Sequence, residues 1–325
     1  MPRFKRSEHL PVKKLSGVTL AIGAAVMSGV AVFVNGYGVR AWAQTADATT
    51  YTTFKNIVAA LALVAIALIA GSRSKTRSVL RSASTRQWLG LAAVAVLGGA
   101  VAFALFFEGL ARASSTQAAF IHKTLVIWVG ILAVGLLRER LRSIHIFAVV
   151  MLVAGQVLLV GGLTDVAFGV GEVMILGATL LWSIEIVIAK RLLNELSSLT
   201  VGVARMGGGA IVLVLYGAGR ALTGNGFAAI GAVTLGQIGW VLATGVMLAG
   251  FVAVWYAALA RATAIDATAI LAGGAVITAL LQSYVRGARV VSPVGLAFVA
   301  IGAAVVALAG VGMRRGLAPD VSSDT

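Results

Sequence analysis

His122 and Lys123 lie side by side about nine residues into a long apolar run, and Glu185 lies about as deep in another, with Trp182 on the same helical face one turn before it. Ionisable groups at bilayer depth cost about 2.5–3.5 kcal/mol each on insertion scales, so by default they mark a substrate or ion pathway. For Lys123 and Glu185 two readings stand. They form a buried ion pair that fixes helix register, or they face each other across a cavity, where a zwitterion would set its carboxylate towards Lys123 and its amine towards Glu185. In the second case protonation of Glu185 would loosen the pair and offer a route to proton coupling, with His122 as relay. His122 reads equally well as a hydrogen-bonded packing residue.

Other chemistries lack their residues. Without cysteine there is no disulfide framework, no Cys-based metal site and no thiol nucleophile. The histidines at 9, 122 and 145 have no metal-ligand spacing, and no G-x-x-x-x-G-K-[ST] loop is present to hold nucleotide phosphates. The expectation is a protein that is not an enzyme, with no cofactor and no metal.

The elements that must position these residues are apolar helices. Hydrophobic residues make up 60% of the chain and charged ones 11%, with 39 glycines against four prolines, a composition suited to close-packed membrane helices. A bilayer core of about 30 Å needs about 20 apolar residues per span, and a helix satisfies its own backbone in lipid. Spans are expected near 16–36, 51–70, 88–110, 114–137, 144–162, 170–190, 200–220, 237–259, 266–285 and 292–313. The fold class is therefore an all-α polytopic membrane protein with ten transmembrane helices. The first span is too long for a signal-peptide core and has no clear cleavage site, so it is read as a retained helix.

The formal charge of +15 is distributed by topology. With the N-terminus in the cytoplasm, 18 of the 26 Lys and Arg residues fall in cytoplasmic segments and five outside, while Lys55, Lys123 and Arg205 fall within spans. That bias follows the positive-inside rule and puts both termini in the cytoplasm of a plasma (inner) membrane protein. The charge serves orientation and contact with anionic membrane lipid, and nucleic acid is not an expected partner.

The string LARA occurs at 110–113 and again at 259–262. In that register Phe106 and Phe107 pair with Trp255 and Tyr256, Ala118 with Ala267, Ile121 with Ile270, and Ser143 with Ser292. Slightly different registers pair Gly17 with Gly171, Gly23-Ala24 with Gly177-Ala178, and Lys55 with Arg205. The ordered set reads as a duplication. Five spans per half is an odd number, so the halves enter the membrane from opposite sides as inverted five-helix repeats. Such repeats place a site near the midplane and expose it to either side alternately. The expected division is a tail 1–15, a first repeat 16–162, a second repeat 163–313 and a tail 314–325.

The chain resembles the EamA-type transporters of the drug/metabolite transporter superfamily. The resemblance rests on Leu136-Leu137-Arg138-Glu139-Arg140-Leu141 with the later Gly155, and on Gly171-Glu172, Gly177-Ala178, Trp182-Ser183-Ile184-Glu185 and Lys190-Arg191-Leu192-Leu193. It departs in having no Pro in the fourth span, and Ala288 where Glu139 has its counterpart. The resemblance implies ATP-independent movement of small metabolites, often export of amino acids or related compounds. It further implies that spans 1–4 and 6–9 enclose the cavity while spans 5 and 10 stay peripheral, so that leucine at Ala148 and Ala303 would be tolerated. Asn35, Asn56 and Gln117 belong to helices that line the family's cavity and join Lys123, Glu185, His122, Trp182 and Arg205 as candidate substrate-binding or coupling residues.

Blander roles remain for other polar groups. Glu108, Glu172, Lys55 and Asp266 stand near span ends, where snorkelling accounts for charge, and Arg205 follows the same logic apart from its register with Lys55. Asn35, Asn56, Gln117, Gln156 and Gln282 are readable as interhelical glue, Glu139 as a salt-bridge partner of Arg138, Arg140 and Arg142, and Trp42, Trp88 and Trp240 as an interfacial belt. The functional expectation is a secondary exporter of a small polar metabolite, with proton coupling and a homodimer as open options. The alternatives are an efflux carrier for lipophilic cations, drawn to Glu185 and Trp182, and a non-transporting scaffold or sensor.

Overall fold

The computed structural model describes residues 16–43, 45–69, 83–113, 115–159, 169–286 and 292–315, and their regular elements are all helices. The N-terminal tail, most of the 71–87 loop, Ala288 and the side chain of Gln117 lie outside the described residues. Eight spans are continuous: α1 (Gly17–Trp42), α2 (Ala48–Ile69), α3 (Thr85–Leu110), α5 (Ser143–Leu159), α6 (Val170–Leu192), α7 (Ser198–Ala221), α8 (Leu235–Leu259) and α10 (Pro293–Arg315). Two are interrupted. The fourth runs as α4a (Ser115–Lys123) and α4b (Leu125–Leu132, continued by Ala133–Leu137), and the ninth as α9a (Ala264–Ala272) and α9b (Gly274–Arg286).

The helices start where a hydroxyl can replace the missing backbone partner. Ser16, Ser84, Ser197, Thr234 and Thr263 each accept a hydrogen bond from the amide three residues on. α2 begins earlier than its apolar run because Thr52 and Thr53 donate to the carbonyls of Ala48 and Thr49, 2.8 Å each, which absorbs a polar turn into the helix. That shift carries Lys55 two turns inside the helix.

The two halves interlock. α1 packs on α8 and both parts of the ninth span, and α6 packs on α3 and both parts of the fourth; α2 lies against α8 as α7 lies against α3. The repeated LARA string marks a close backbone contact between them. A Cβ on Gly17 would sit 2.6 Å from the Arg261 carbonyl carbon, and one on Gly171 would sit 2.9 Å from the Ala113 amide. Each repeat's opening glycine is thus seated on the other repeat's L-A-R-A turn. A small residue is needed there because backbone meets backbone.

α5 and α10 pack against each other, with α9a also touching both, and Gly155 abuts Gly295 across their contact. Ala148 is fully buried there, and its carbonyl would lie 2.9 Å from a Cβ on Gly302. A larger side chain at Ala148 meets the packed backbone of α10, which runs against the expected tolerance of leucine there.

We name the face at which α1 starts proximal and the other distal. At the distal face Arg220, at the end of α7, holds Asp47, in the turn before α2, at 2.6 Å, which ties the repeats together. Burial alone would raise the Asp47 carboxyl, but hydrogen bonds from Thr50 and the Arg220 charge outweigh it and hold the group below its usual value. Trp42 is no belt residue. Only 3% exposed, it packs between Tyr51 and Phe54 and donates its indole N–H to the Gln237 carbonyl at 3.0 Å. Trp88 is half exposed, as an interfacial residue would be, while Trp240 stacks on Tyr37.

Candidate functional site: a cavity between the repeats

Both interruptions lie at one register position, since Thr124 and Gly273 stand in the same alignment as the two LARA strings. After Lys123 the Thr124 hydroxyl donates to the Ile121 carbonyl at 2.6 Å and the helix tightens for one turn. At Gly273 the amide bonds the Ile270 carbonyl at 3.0 Å in the same manner. No proline is required, because a Thr hydroxyl and a glycine divert the carbonyls instead. Discontinuous helices at membrane depth are tolerated where they line a cavity.

Such a cavity is present. About 180 Å³ in volume, it is lined by residues of α1, α2, α3, both parts of the fourth span, α6, α7, α8 and α9a, and by none of α5 or α10. Its polar groups are Ser28, Asn35, Lys55, His122, Lys123, Glu185, Arg205 and Thr268, and six rings from Phe103, Phe106, Phe107, Trp182, Phe251 and Trp255 form much of its wall. Of the eight sequence candidates, six line it: Asn35, His122, Lys123, Trp182, Glu185 and Arg205. Asn56 does not; it is fully buried between α2 and α3 and donates to the Gly99 carbonyl at 3.1 Å.

Lys123 and Glu185 share the cavity but form no ion pair with each other among the described residues. Glu185 is 1% exposed, accepts a hydrogen bond from the Tyr256 hydroxyl, and has Arg205 Nε 3.8 Å from its second oxygen. The last is an ion contact too long for a hydrogen bond, and Arg205 Nε has no hydrogen-bond partner among the described residues. The Arg205 guanidinium also lies 5.3 Å from the centre of the Phe103 ring. The carboxylate is therefore held from α7 and α8, and the reading of a Lys123–Glu185 pair gives way to Glu185 with Arg205 and Tyr256.

Lys55 departs furthest from expectation. It does not snorkel: at 2% exposure its ammonium lies 4.0 Å from the centre of the Phe107 ring, 5.6 Å from those of Phe103 and Tyr51, and 3.3 Å from Asn35 Oδ1. Rings and one amide oxygen surround a cation that no carboxylate reaches among the described residues. His122 sits edge-on to Phe106 and Trp182, at 5.2 and 5.0 Å, and its buried Nδ1 has no partner among the described residues. Trp182 is fixed by its N–H to the Gly98 carbonyl at 3.1 Å. Gly98 and Gly99 lie in a π-helical stretch, Val94–Val101, where the wider turn leaves their carbonyls to side-chain donors from α6 and α2.

Other groups read as span-end charges are structural joints. Glu139 follows Arg138, whose φ of 56° ends the fourth span in a left-handed turn, and its carboxylate accepts from the amides of Ala264 and Ile265 at 2.8 and 3.1 Å. It caps α9a from the other repeat, where the helix dipole favours an anion; none of its arginine neighbours pairs with it among the described residues. Lys190 caps the opposite kind of end, donating to the carbonyls of Leu259 and Ala262 in the second LARA turn. Asp266 is buried and bonded to His145 Nε2 at 2.9 Å, while Glu172 caps its own helix at Gly169 and Glu108 pairs with Arg112. Gln282 is exposed and joins no pair of helices among the described residues.

A model of the EamA-like transporter family matches residues 15–161 and again 169–317, five helices each time. The chain belongs to the EamA-like transporter family. Among solved structures, one chain described only as "Crystal structure of protein" superposes with a TM-score of 0.72 over 91% of this chain and 98% of its own, at 17% identity, a likeness of fold. No curated protein matches the sequence. This EamA-like transporter is a multi-pass membrane protein, and its family implies a small-molecule cargo. Sequence reasoning missed Lys55, Tyr256 and the Glu139 cap. The register of Lys55 with Arg205 and of Phe107 with Tyr256 carried the first two, since residues related by the repeat occupy related depths.

Proposed function

We propose that this protein is a secondary exporter of a small polar metabolite, working by alternating access at the cavity between the repeats. The observation that carries the reading is the cavity bounded by two helices broken at the same register position, one in each repeat. Broken helices at a repeat interface expose backbone groups and give each half a local hinge, while the interlocked glycine contacts move as rigid units. On the distal side Tyr51, which lines a second cavity of about 360 Å³ near Asp47 and Glu108, packs against Phe107 of the central one at 6.3 Å. These rings are the barrier that opening towards the distal face must part. Glu185, the only carboxylate among the described residues lining the central cavity, is the group through which a proton would couple.

A lipophilic cation is the weaker cargo. Its expected acceptor, Glu185, is already engaged by Arg205 and Tyr256, and the remaining charges are positive. Comparing metabolites in the medium of cells lacking and cells overproducing the protein tests the export reading. A metabolite depleted in the first medium and enriched in the second is the expected result, and two indistinguishable media would sink it.

We place the proximal face in the cytoplasm of the plasma membrane, on the 18-to-5 distribution of Lys and Arg. The chain has no cysteine, so single introductions report cleanly. Thr223→Cys, exposed at the distal face, should react with an impermeant maleimide added to intact cells, and Asn194→Cys, exposed at the proximal face, only after permeabilisation. The reverse pattern would invert the topology.

A further inference from the structure

The cavity holds three cations against one carboxylate. Lys55, Lys123 and Arg205 face it with Glu185, a formal excess of two positive charges in a space walled mainly by rings and aliphatic side chains. Arg205 and Glu185 offset each other, which leaves Lys55 and Lys123. For Lys55 the compensation is the faces of Phe107, Phe103 and Tyr51 and a single amide oxygen; for Lys123 no ion pair exists among the described residues. Ring quadrupoles attract a cation, but far less than the hydration it has lost. The balance favours an incoming negative charge.

A second, independent feature points to the same place. His122, adjacent to Lys123, keeps a buried Nδ1 without a hydrogen-bond partner among the described residues, where a buried polar atom is ordinarily paired. Its ring is clamped by Phe106 and Trp182, so the nitrogen cannot readily turn elsewhere. A ligand oxygen or hydroxyl would satisfy it. The volume of about 180 Å³ sets the scale: a dry cavity of about 150 Å³ accepts a benzene ring, so this one has room for one ring with a short polar tail.

Resting on the reading of this cavity as the transport site, we propose that the cargo is a small organic anion, a carboxylate carried on a single apolar ring. Lys123 and Lys55 neutralise the carboxylate, His122 supplies a hydrogen bond beside Lys123, and the ring packs among Phe103, Phe106 and Trp182. A zwitterion is disfavoured because its amine would have to displace Arg205 and Tyr256 from Glu185.

Three probes with the same ring separate the charge types: phenylpyruvate as anion, phenylalanine as zwitterion and phenyltrimethylammonium as cation. Saturable uptake of each is measured with the full-length protein in proteoliposomes. Phenylpyruvate is expected to be carried at least about tenfold more efficiently than either of the others, the change that one misplaced buried charge produces. Lys123→Gln and Lys55→Gln are each expected to reduce its uptake about tenfold or more, with Lys123→Arg keeping most of it because the positive charge remains. Monodisperse elution and a melting temperature no lower than the parent's confirm folding, and if Lys55→Gln does not fold, the two Lys123 variants decide.

Preference for phenylalanine or the ammonium probe overturns the anion assignment while leaving the carrier reading intact. Uptake of none of the three overturns it too, and the medium comparison then judges the carrier reading separately. Well-folded lysine variants that carry phenylpyruvate as the parent does would remove the lysines from the site and the proposal with them.

Discussion

Glu185→Leu should lower the unfolding temperature of the purified protein more than any other single substitution of a charged cavity residue, whereas Lys123→Leu should raise it or leave it unchanged. The difference comes from who compensates whom. Glu185 and Arg205 are both nearly sealed from solvent, with side chains 2% and 7% exposed, and each is the other's only opposite charge within 4 Å among the described residues. Removing one member of a buried pair strands the other, at about 3–5 kcal/mol. Tyr256 would also lose the acceptor of its hydroxyl. Lys123 has no such partner, so replacing it with leucine removes a charge that nothing balances. The double variant Glu185→Leu, Arg205→Leu should recover most of the loss, because two apolar side chains replace a pair that returned little net stability. It should still not transport. Thermal unfolding in detergent with parallel flux measurement checks all four proteins. If Lys123→Leu melts as far below the parent as Glu185→Leu does, the carboxylate is paired with Lys123 after all, because removing either member would then strand the other.

The same pairing marks the limit of what the sequence discloses. The spans follow from apolar run length, the two-repeat plan from the paired register and the inversion from five spans per half, all properties of the chain in one dimension. LARA and the Gly17–Gly171 correspondence were visible as repetition, yet their meaning, a glycine of one repeat seated on the turn of the other, required the packing. Candidate depth was also readable: six of the eight residues named from sequence line the cavity. Partner identity was not, because it depends on helix rotation. Glu185 and Lys123 lie at similar depth, but α6 turns its carboxylate towards α7 and α8. Lys55 was misjudged for a local reason, since back-bonded threonines lengthen α2 by a turn that hydropathy assigns to the loop. Glu139, surrounded by arginines in sequence, finds its ligands on a helix more than a hundred residues away.

Gly99→Ala should be nearly as damaging as the loss of Glu185, although it adds only a methyl group. A Cβ at Gly99 would fall within contact of the Arg205 carbonyl oxygen and 3.0 Å from the Gly209 Cα, and Gly209 meets the Gly99 backbone in return. None of these atoms belongs to a flexible side chain that could step aside. Accommodating the methyl means separating α3 from α7 where both carry π-helical turns, Val94–Val101 and Ala204–Gly208. Overpacking of this kind costs on the order of 3 kcal/mol. The other repeat has the matching contact: a Cβ on Gly245 would lie 2.9 Å from the Lys55 carbonyl oxygen and 2.6 Å from the Val58 Cβ. Arg205 and Lys55 are thus each anchored through their own carbonyl against a glycine of the opposite repeat, which sets how far the guanidinium and the ammonium reach into the cavity. Gly99→Ala and Gly245→Ala should accordingly reduce transport as well as melting temperature. Gly207→Ala is the internal control, in the same α7 turn as Arg205 but facing open space, where alanine should be neutral or stabilise by about 0.5–1 kcal/mol. Melting curves and initial flux for the three variants decide the matter. Were Gly99→Ala to melt and transport like Gly207→Ala, the glycine contacts would not be what holds the two cations at their depth.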